Sequence, residues 1–282
     1  MRVAVIGSSG GMGKFFAGYF LSHGNQVTGS DMRRPETKRP RFRFARSNTE
    51  AVKGADVVVI ATPIDRTVEV VADVADRLAA GATVIEITSV KGKILRELKK
   101  ELAGRGLRLL SLHPLFGPSL ASYGDMKICV VETEKGSASL ARELFPEAAL
   151  VPMKEKEHDR TMGLILSLTH LTNIAYAGTI SRYLTPEEFR NVQTPTSAVQ
   201  LTLAEGVLSQ DPSLYSYIQL ENASSSEFAG ALVDELMRLV RFIEEKDRKG
   251  FEKHFGELSR RYRGDSKAAL DLVYQAFEKS SR

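Results

Sequence analysis

The sequence predicts an α/β fold, a doubly wound parallel-sheet domain over residues 1–153 followed by an all-helical domain over residues 154–282. Three observations carry this. Short apolar runs alternate with stretches of helical spacing through the first half. The first run leads straight into a glycine-rich turn, and from about Lys154 the strand signal disappears. At 282 residues the chain can bury two cores, and 43% hydrophobic with 26% charged residues is the balance of an ordinary soluble protein.

Arg2–Ile6 is the first strand. It enters Gly7-Ser8-Ser9-Gly10-Gly11-Met12-Gly13 and then a helical pattern from Phe15 to Leu21. Strand, turn and helix in this order make a phosphate site, because backbone N–H groups and the helix N-terminus face an anion that glycine lets approach closely. The register is Gly10-x-x-Gly13, with Ser8 where the dinucleotide fingerprint usually has its first glycine. Gln26–Ser30 reads as a second strand ending in Asp31, near the spacing at which a carboxylate binds the adenosine ribose. These residues predict a dinucleotide cofactor, with Asp31 favouring NAD. Arg33 and Arg34 follow at once and suit a 2′-phosphate, which leaves NADP open. They begin a basic cluster reaching Arg46, but other basic residues are spread out, and an anionic small molecule accounts for the net charge of +4 as well as a nucleic acid would.

Ala55–Ala61 is a buried strand broken at Thr62-Pro63, a strand end expected beside the nicotinamide half of the cofactor. Val68–Leu78 has helical spacing. Gly81–Ile87 is the next strand and ends in Thr88-Ser89-Val90-Lys91, bringing a hydroxyl and an ammonium to the sheet's C-terminal edge. Ser89 also suits the cap of a helix over Lys91–Leu102. Leu107, Leu109, Leu110 and Leu112 make a strand covered on both faces, and Pro114 removes the next ladder donor, leaving His113 at the strand's tip. An imidazole on that edge is placed for proton chemistry, although position alone suits a loop cap equally. Lys127–Glu132 and Ala149–Pro152 supply further strands. The single cysteine, Cys129, sits in an apolar run, so no disulfide framework or thiolate metal site is available and a cytoplasmic setting is expected. The chain opens on a strand without a basic leader, and no membrane anchor is evident.

Glu155–Ile180 reads as one long helix, apolar nearly all round its middle, as for a helical core or a subunit interface. His170 lies in it, where a histidine is more often a satisfied core residue than a ligand. Thr185-Pro186 caps the next helix, Gln193-Thr194-Pro195-Thr196 breaks it, and helices continue over Ala198–Leu208, Leu214–Asn222, Ser224–Glu245 and Arg248–Arg263.

Four motifs in order, Thr88-Ser89-Val90-Lys91, His113-Pro114-Leu115-Phe116-Gly117-Pro118, Glu157-His158-Asp159 ahead of Leu168-Thr169-His170, and Ser209-Gln210-Asp211-Pro212-Ser213-Leu214-Tyr215, make the chain resemble the prephenate dehydrogenases of the tyrosine pathway over nearly its whole length. The resemblance implies a Rossmann domain, a helical domain that forms a homodimer, and an active site between them. It makes His113 the catalytic acceptor with Ser89 orienting the imidazole or the substrate hydroxyl, and it puts Lys91, His170, Gln193 and Thr196 on the substrate. A near-normal imidazole at His113 predicts a rate that falls as pH drops through roughly 6 to 7.

One departure stands out. The family usually carries an arginine five residues before the Asp of the Asp-Pro pair, against a substrate carboxylate, and this chain has Gly206 there. Either Lys91, Arg190 or one of Arg260 and Arg261 takes over, or the substrate is altered; Glu205 nearby favours an amino group and hence arogenate. Two other readings stay open: a dehydrogenase of another small acid, and a nucleotide-binding regulatory protein that has lost catalysis.

Overall fold

The structure, a computed structural model, describes residues 1–34, 39–262, 264 and 266–280. Two compact units divide it, Met1–Met162 and Gly163–Arg282. The first runs beyond residue 153 because its last helix packs on elements of the sheet domain.

In the first unit the order is β1 (Arg2–Ile6), α1 (Gly11–Ser22), β2 (Gln26–Ser30), β3 (Phe42–Phe44), α2 (Asn48–Ala51), β4 (Val57–Ile60), α3 (Thr67–Ala75), β5 (Thr83–Glu86), α4 (Gly92–Leu102), β6 (Arg108–Pro114), β7 (Lys127–Val131), α5 (Ser137–Leu144), β8 (Ala149–Met153) and α6 (Glu155–Met162). The strands form one eight-stranded sheet in the order β3-β2-β1-β4-β5-β6-β7-β8. Its centre is buried on both faces, since every residue of β4 and β5 is buried, which is why β4 reads as an unbroken apolar run, while β5 buries Thr83 and Glu86 beside Val84 and Ile85. The chain reverses direction across the sheet between β1 and β4, in register Ile6 to Ile60, and the crevice beyond that pair is where doubly wound sheets take ligands. Phe16, Tyr19, Phe20, Leu110, Leu112, Ile128 and Phe145 form much of the core under α1.

Two features depart from the expected pattern. The short strand β3 lies inside the basic cluster, where Phe42 and Phe44 half-bury against β2; residues 35–38 of that cluster lie outside the described residues. More consequentially, β7 runs antiparallel to β6, with His113 opposite Cys129 and Pro114 opposite Ile128. His113 therefore sits within β6 rather than at its tip. Pro114 is tolerated because the Leu115 N–H reaches Lys127 on the β7 side at 2.8 Å, so by strand alternation Pro114's nitrogen faces the β5 side. There β5 has already ended at Glu86, which pairs with Ser111.

The second unit is helical: a π-helical turn (Gly163–Ser167), α7 (Leu168–Ile180), α8 (Pro186–Val192), α9 (Pro195–Leu208), α10 (Pro212–Glu221), α11 (Ser225–Glu244), α12 (Arg248–Arg261) and α13 (Ser266–Ser280). The long helix read from sequence is thus interrupted at the π turn, where Gly163 lets the Phe228 ring approach so closely that a Cβ would lie 2.9 Å from it. Thr185 caps α8 in a reciprocal box with Glu188, and Thr194 caps α9 with Ser197. Helix α12 ends at Arg261, Arg263 lies outside the described residues, and α13 has no counterpart in the sequence reading. Among the described residues no helix is long and apolar enough to cross a membrane.

Candidate active site

The nucleotide crevice is built by glycines whose missing side chains can be assigned causes. Gly7 has φ +83°, and a Cβ there would lie 2.4 Å from the Ala61 carbonyl, so the tight turn falls one residue before the position the fingerprint gives it. Ser8 occupies that fingerprint position. It fits because its neighbour on β2 is Gly29, where a Cβ would meet the Ser8 Oγ at 2.6 Å, and that hydroxyl donates to the Ser30 carbonyl at 3.3 Å. Sequence reasoning missed Gly29, although a glycine inside a strand is a signal of close approach. Gly13 packs the helix on the turn, since a Cβ there would meet the Gly7 carbonyl at 2.0 Å. Helix α1 starts at Gly11 with no side-chain cap and no acidic residue in its first turn, leaving its first N–H groups and positive dipole end for an anion.

Around this cradle the other cofactor candidates fall into place. Asp31 accepts the Ser9 N–H at 2.9 Å and the Arg33 N–H at 3.1 Å, and the Ser9 hydroxyl donates to the Arg33 carbonyl at 2.5 Å. Asp31 thus ties the end of β2 to the glycine turn. Arg33 and Arg34 are exposed, with Arg34 lying 6.0 Å over the Phe44 ring. Thr62, just past β4 and ahead of Pro63, buries a hydroxyl that has no hydrogen-bond partner among the described residues, an orphan that a bound group would satisfy. Open backbone donors, a ribose-level carboxylate and this orphan together fit a nicotinamide dinucleotide.

The histidine loop is folded over the same turn. Pro118 lies so near Gly11 that a Cβ there would be 2.8 Å away, and Phe116 packs on Phe15 with centroids 5.0 Å apart. His113 is 5% exposed. Its Nδ1 lies 2.9 Å from Nε2 of His158, whose Nδ1 lies 2.8 Å from Oδ1 of Asp159. Asp159 also accepts the Lys91 N–H at 3.0 Å and the Gly92 N–H at 2.8 Å, so α6 caps the start of α4. Burial holds His113 well below the ordinary imidazole range, with the Lys91 ammonium and His158 acting in the same direction. Burial also lowers His158, although the Asp159 hydrogen bond opposes it.

Lys91 and Ser89 depart from expectation. The Lys91 side chain is 0% exposed and its ammonium is spent on Glu86 and on the Leu112 carbonyl, each at 2.7 Å, so it is a structural cation and offers no charge to a substrate. Glu86 is itself saturated, accepting from Ser111 and from the Thr88 N–H and hydroxyl. Nor does Ser89 cap α4, whose start is taken by Asp159. Ser89 is half-buried beyond β5 and has no hydrogen bond to His113, whose orienting partner is His158. The Glu157-His158-Asp159 stretch was visible as a motif, but only packing shows what it does.

The remaining candidates belong to the second unit. His170 faces the Tyr215 ring at 4.5 Å between centroids, which joins two motifs far apart in sequence, and Asp211 and Pro212 start the helix that carries Tyr215. The His170 Nδ1 is buried without a partner among the described residues, and burial lowers the imidazole. Gln193 is half-buried between α8 and α9, while Thr196 is exposed in the first turn of α9; neither hydrogen-bonds to His170. Arg190 pairs with Glu205 at 2.5 Å, and space beside Gly206 is open, with nothing within 4 Å of a Cβ placed there.

A family model described as prephenate dehydrogenase, nucleotide-binding domain, matches residues 16–129, and one described as prephenate dehydrogenase, dimerization domain, matches residues 154–257. Over 300 residues the chain is 28% identical to a probable arogenate/prephenate dehydrogenase of Methanocaldococcus jannaschii, covering 100% of this chain and 67% of that protein. It is 28% identical over 276 residues to a 4-amino-4-deoxyprephenate dehydrogenase of Streptomyces pristinaespiralis, covering 91% of this chain and 90% of the other. The fold is similar to a crystal structure of prephenate dehydrogenase from A. aeolicus in complex with hydroxyphenyl propionate and NAD+, with a TM-score of 0.77, 20% identity and coverage of 93% and 96% of the two chains.

Proposed function

The chain belongs to the prephenate dehydrogenase family, and from that premise we propose that it oxidises and decarboxylates prephenate with NAD. A nicotinamide dinucleotide held by the Gly7–Gly13 turn, Asp31 and Thr62 would supply the hydride acceptor for the ring carbon that carries the 4-hydroxyl. Loss of the ring carboxylate as carbon dioxide then leaves its bonding electrons to the ring, which becomes aromatic. What the chain must supply is an acceptor for the hydroxyl proton and a fixed geometry.

The observation that carries this reading is His113: a buried imidazole beside the glycine turn, held neutral by burial and by Lys91, with no partner in the chain for Nε2 among the described residues. That nitrogen takes the hydroxyl proton. Ser89 is assigned to the substrate hydroxyl, and His170, with Gln193 and Thr196, to the rest of the substrate. The orphaned Nδ1 supports His170. With Lys91 buried and Arg190 paired, the role of the missing arginine falls to an exposed cation such as Arg260 or Arg261, or to Arg190 released from Glu205. Glu205 keeps arogenate as the second substrate to test. Exposed Leu164, Ile165, Val233, Met237 and Ile243 support a homodimer through the helical unit.

NADH formation on adding prephenate, with carbon dioxide release, tests the proposal, run in parallel with arogenate and with NADP. Absence of turnover with both substrates would favour a binding or regulatory role.

A further inference from the structure

We propose that His158, held by Asp159, fixes the tautomer of His113 so that the proton sits on Nδ1 and Nε2 keeps the lone pair that accepts the substrate proton. This rests on the reading of His113 as the acceptor. It makes His158 and Asp159 positioning residues.

The assignment follows from counting donors along the chain of contacts. Asp159 is an ionised acceptor: burial would raise its carboxyl, but hydrogen bonds from His158, Gly92 and Lys91 outweigh burial and hold it below the usual carboxylate range. The His158 Nδ1, 2.8 Å from Oδ1, must therefore carry a proton. A neutral His158 then has only a lone pair on Nε2. That lone pair faces the His113 Nδ1 at 2.9 Å, so His113 must donate there. The proton of neutral His113 is thereby committed to Nδ1. Left alone, a neutral imidazole prefers the opposite tautomer, with Nε2 protonated and useless as a base.

The surroundings keep both rings neutral. Lys91 from the start of α4 faces both imidazoles and opposes a second positive charge. Glu86 on β5 neutralises Lys91, Cys129 lies opposite His113 on β7, and Glu157 precedes His158 on α6. Asp159 is anchored by two backbone donors at the start of α4, which fix the acceptor at the far end of the relay.

The tautomer can be read directly by nitrogen NMR on the full-length protein labelled with 15N-histidine, at neutral pH and without ligands, the resonance assigned by its loss in His113→Asn. In the wild type the His113 Nδ1 should show the shift of a protonated ring nitrogen and Nε2 that of a bare one. His158→Leu should move the proton to Nε2 and lower kcat about tenfold or more, the cost of an unpaired donor, while KM values for NAD and substrate stay within about twofold. His158→Gln offers an amide oxygen to His113 and an amide N–H to Asp159, and should restore most of the rate. Circular dichroism and NAD binding verify folding of each variant; if His158→Leu does not fold, the wild-type spectrum and His158→Gln decide. A wild-type His113 protonated on Nε2, or a folded His158→Leu with the full rate, would overturn the relay. Full activity in His113→Asn would instead overturn His113 as acceptor and leave the tautomer result standing.

Discussion

The Lys91 ammonium donates to the carbonyl of Leu112, one residue before His113, at 2.7 Å. By strand alternation that carbonyl faces the β5 side, where β5 has already stopped, so a side chain supplies the hydrogen bond the missing strand would have given. Lys91 thereby holds the backbone of the histidine and sets its electrostatic surroundings from within the protein.

Lys91→Met should therefore act first on stability. Removing one partner of a buried pair leaves Glu86 charged and uncompensated, which costs about 3–5 kcal/mol. Urea unfolding measures it. An unchanged midpoint together with a raised KM would restore Lys91 to the substrate.

The pH dependence also differs from that of a near-normal imidazole. His113 is held well below its ordinary value, about 6.5, so it stays neutral and competent through that region. The acid limb of kcat/KM should lie below the ordinary imidazole range rather than within it. His113→Asn should lower kcat by about a hundredfold or more with binding intact. Because the folded state resists protonating His113 and His158, stability should decline as pH falls below about 6.5 and level off below their folded values. A limb centred at or above 6.5 would contradict the burial argument.

The glycines of the nucleotide turn should separate by function. Gly10 has space, its nearest neighbour being the Gly7 carbonyl at 3.4 Å, so Gly10→Val should fold yet lose NAD by filling the phosphate's approach. Gly13→Ala has no space and should cost about 1–3 kcal/mol. Calorimetric NAD titration and thermal melts distinguish the two. Tight NAD binding by Gly10→Val would put the cofactor elsewhere.

Asp31→Ala removes the tie to Ser9 and Arg33 and, with it, the carboxylate proposed to accept from the ribose. NAD affinity should fall about tenfold or more, the scale of a charge-assisted hydrogen bond, and NADP affinity should fall less. Equal losses would assign the preference to Arg33 and Arg34.

The sheet domain was legible because its signals are local. Gly7–Gly13, Asp31 and the run at β4 each report a backbone requirement of their own stretch. Roles set by tertiary packing were not: Lys91 looked like an edge cation and Ser89 like a cap because the competing groups, Glu86 and Asp159, reach them only through the fold. His113 was found for a reason that needed correction, since strand direction at β7 depends on pairing that no single stretch encodes. Gly29 could have been found, because its absent side chain compensates for Ser8. Helix α13 could also have been found, because Gly264, Asp265 and Ser266 stand in the sequence as a helix stop and start ahead of an apolar-periodic run.

Cys129 gives the protein a built-in clock. It is the only sulfhydryl in the chain, lies opposite His113 at no measurable exposure, and is pushed up to about 11 by burial, against the opposing effect of Lys91. A thiol reagent can reach it only when β6 and β7 part, so its modification rate times the opening of the strand pair that holds the imidazole. Slower modification with NAD present would show that filling the crevice latches the histidine strand shut, without any label having been introduced.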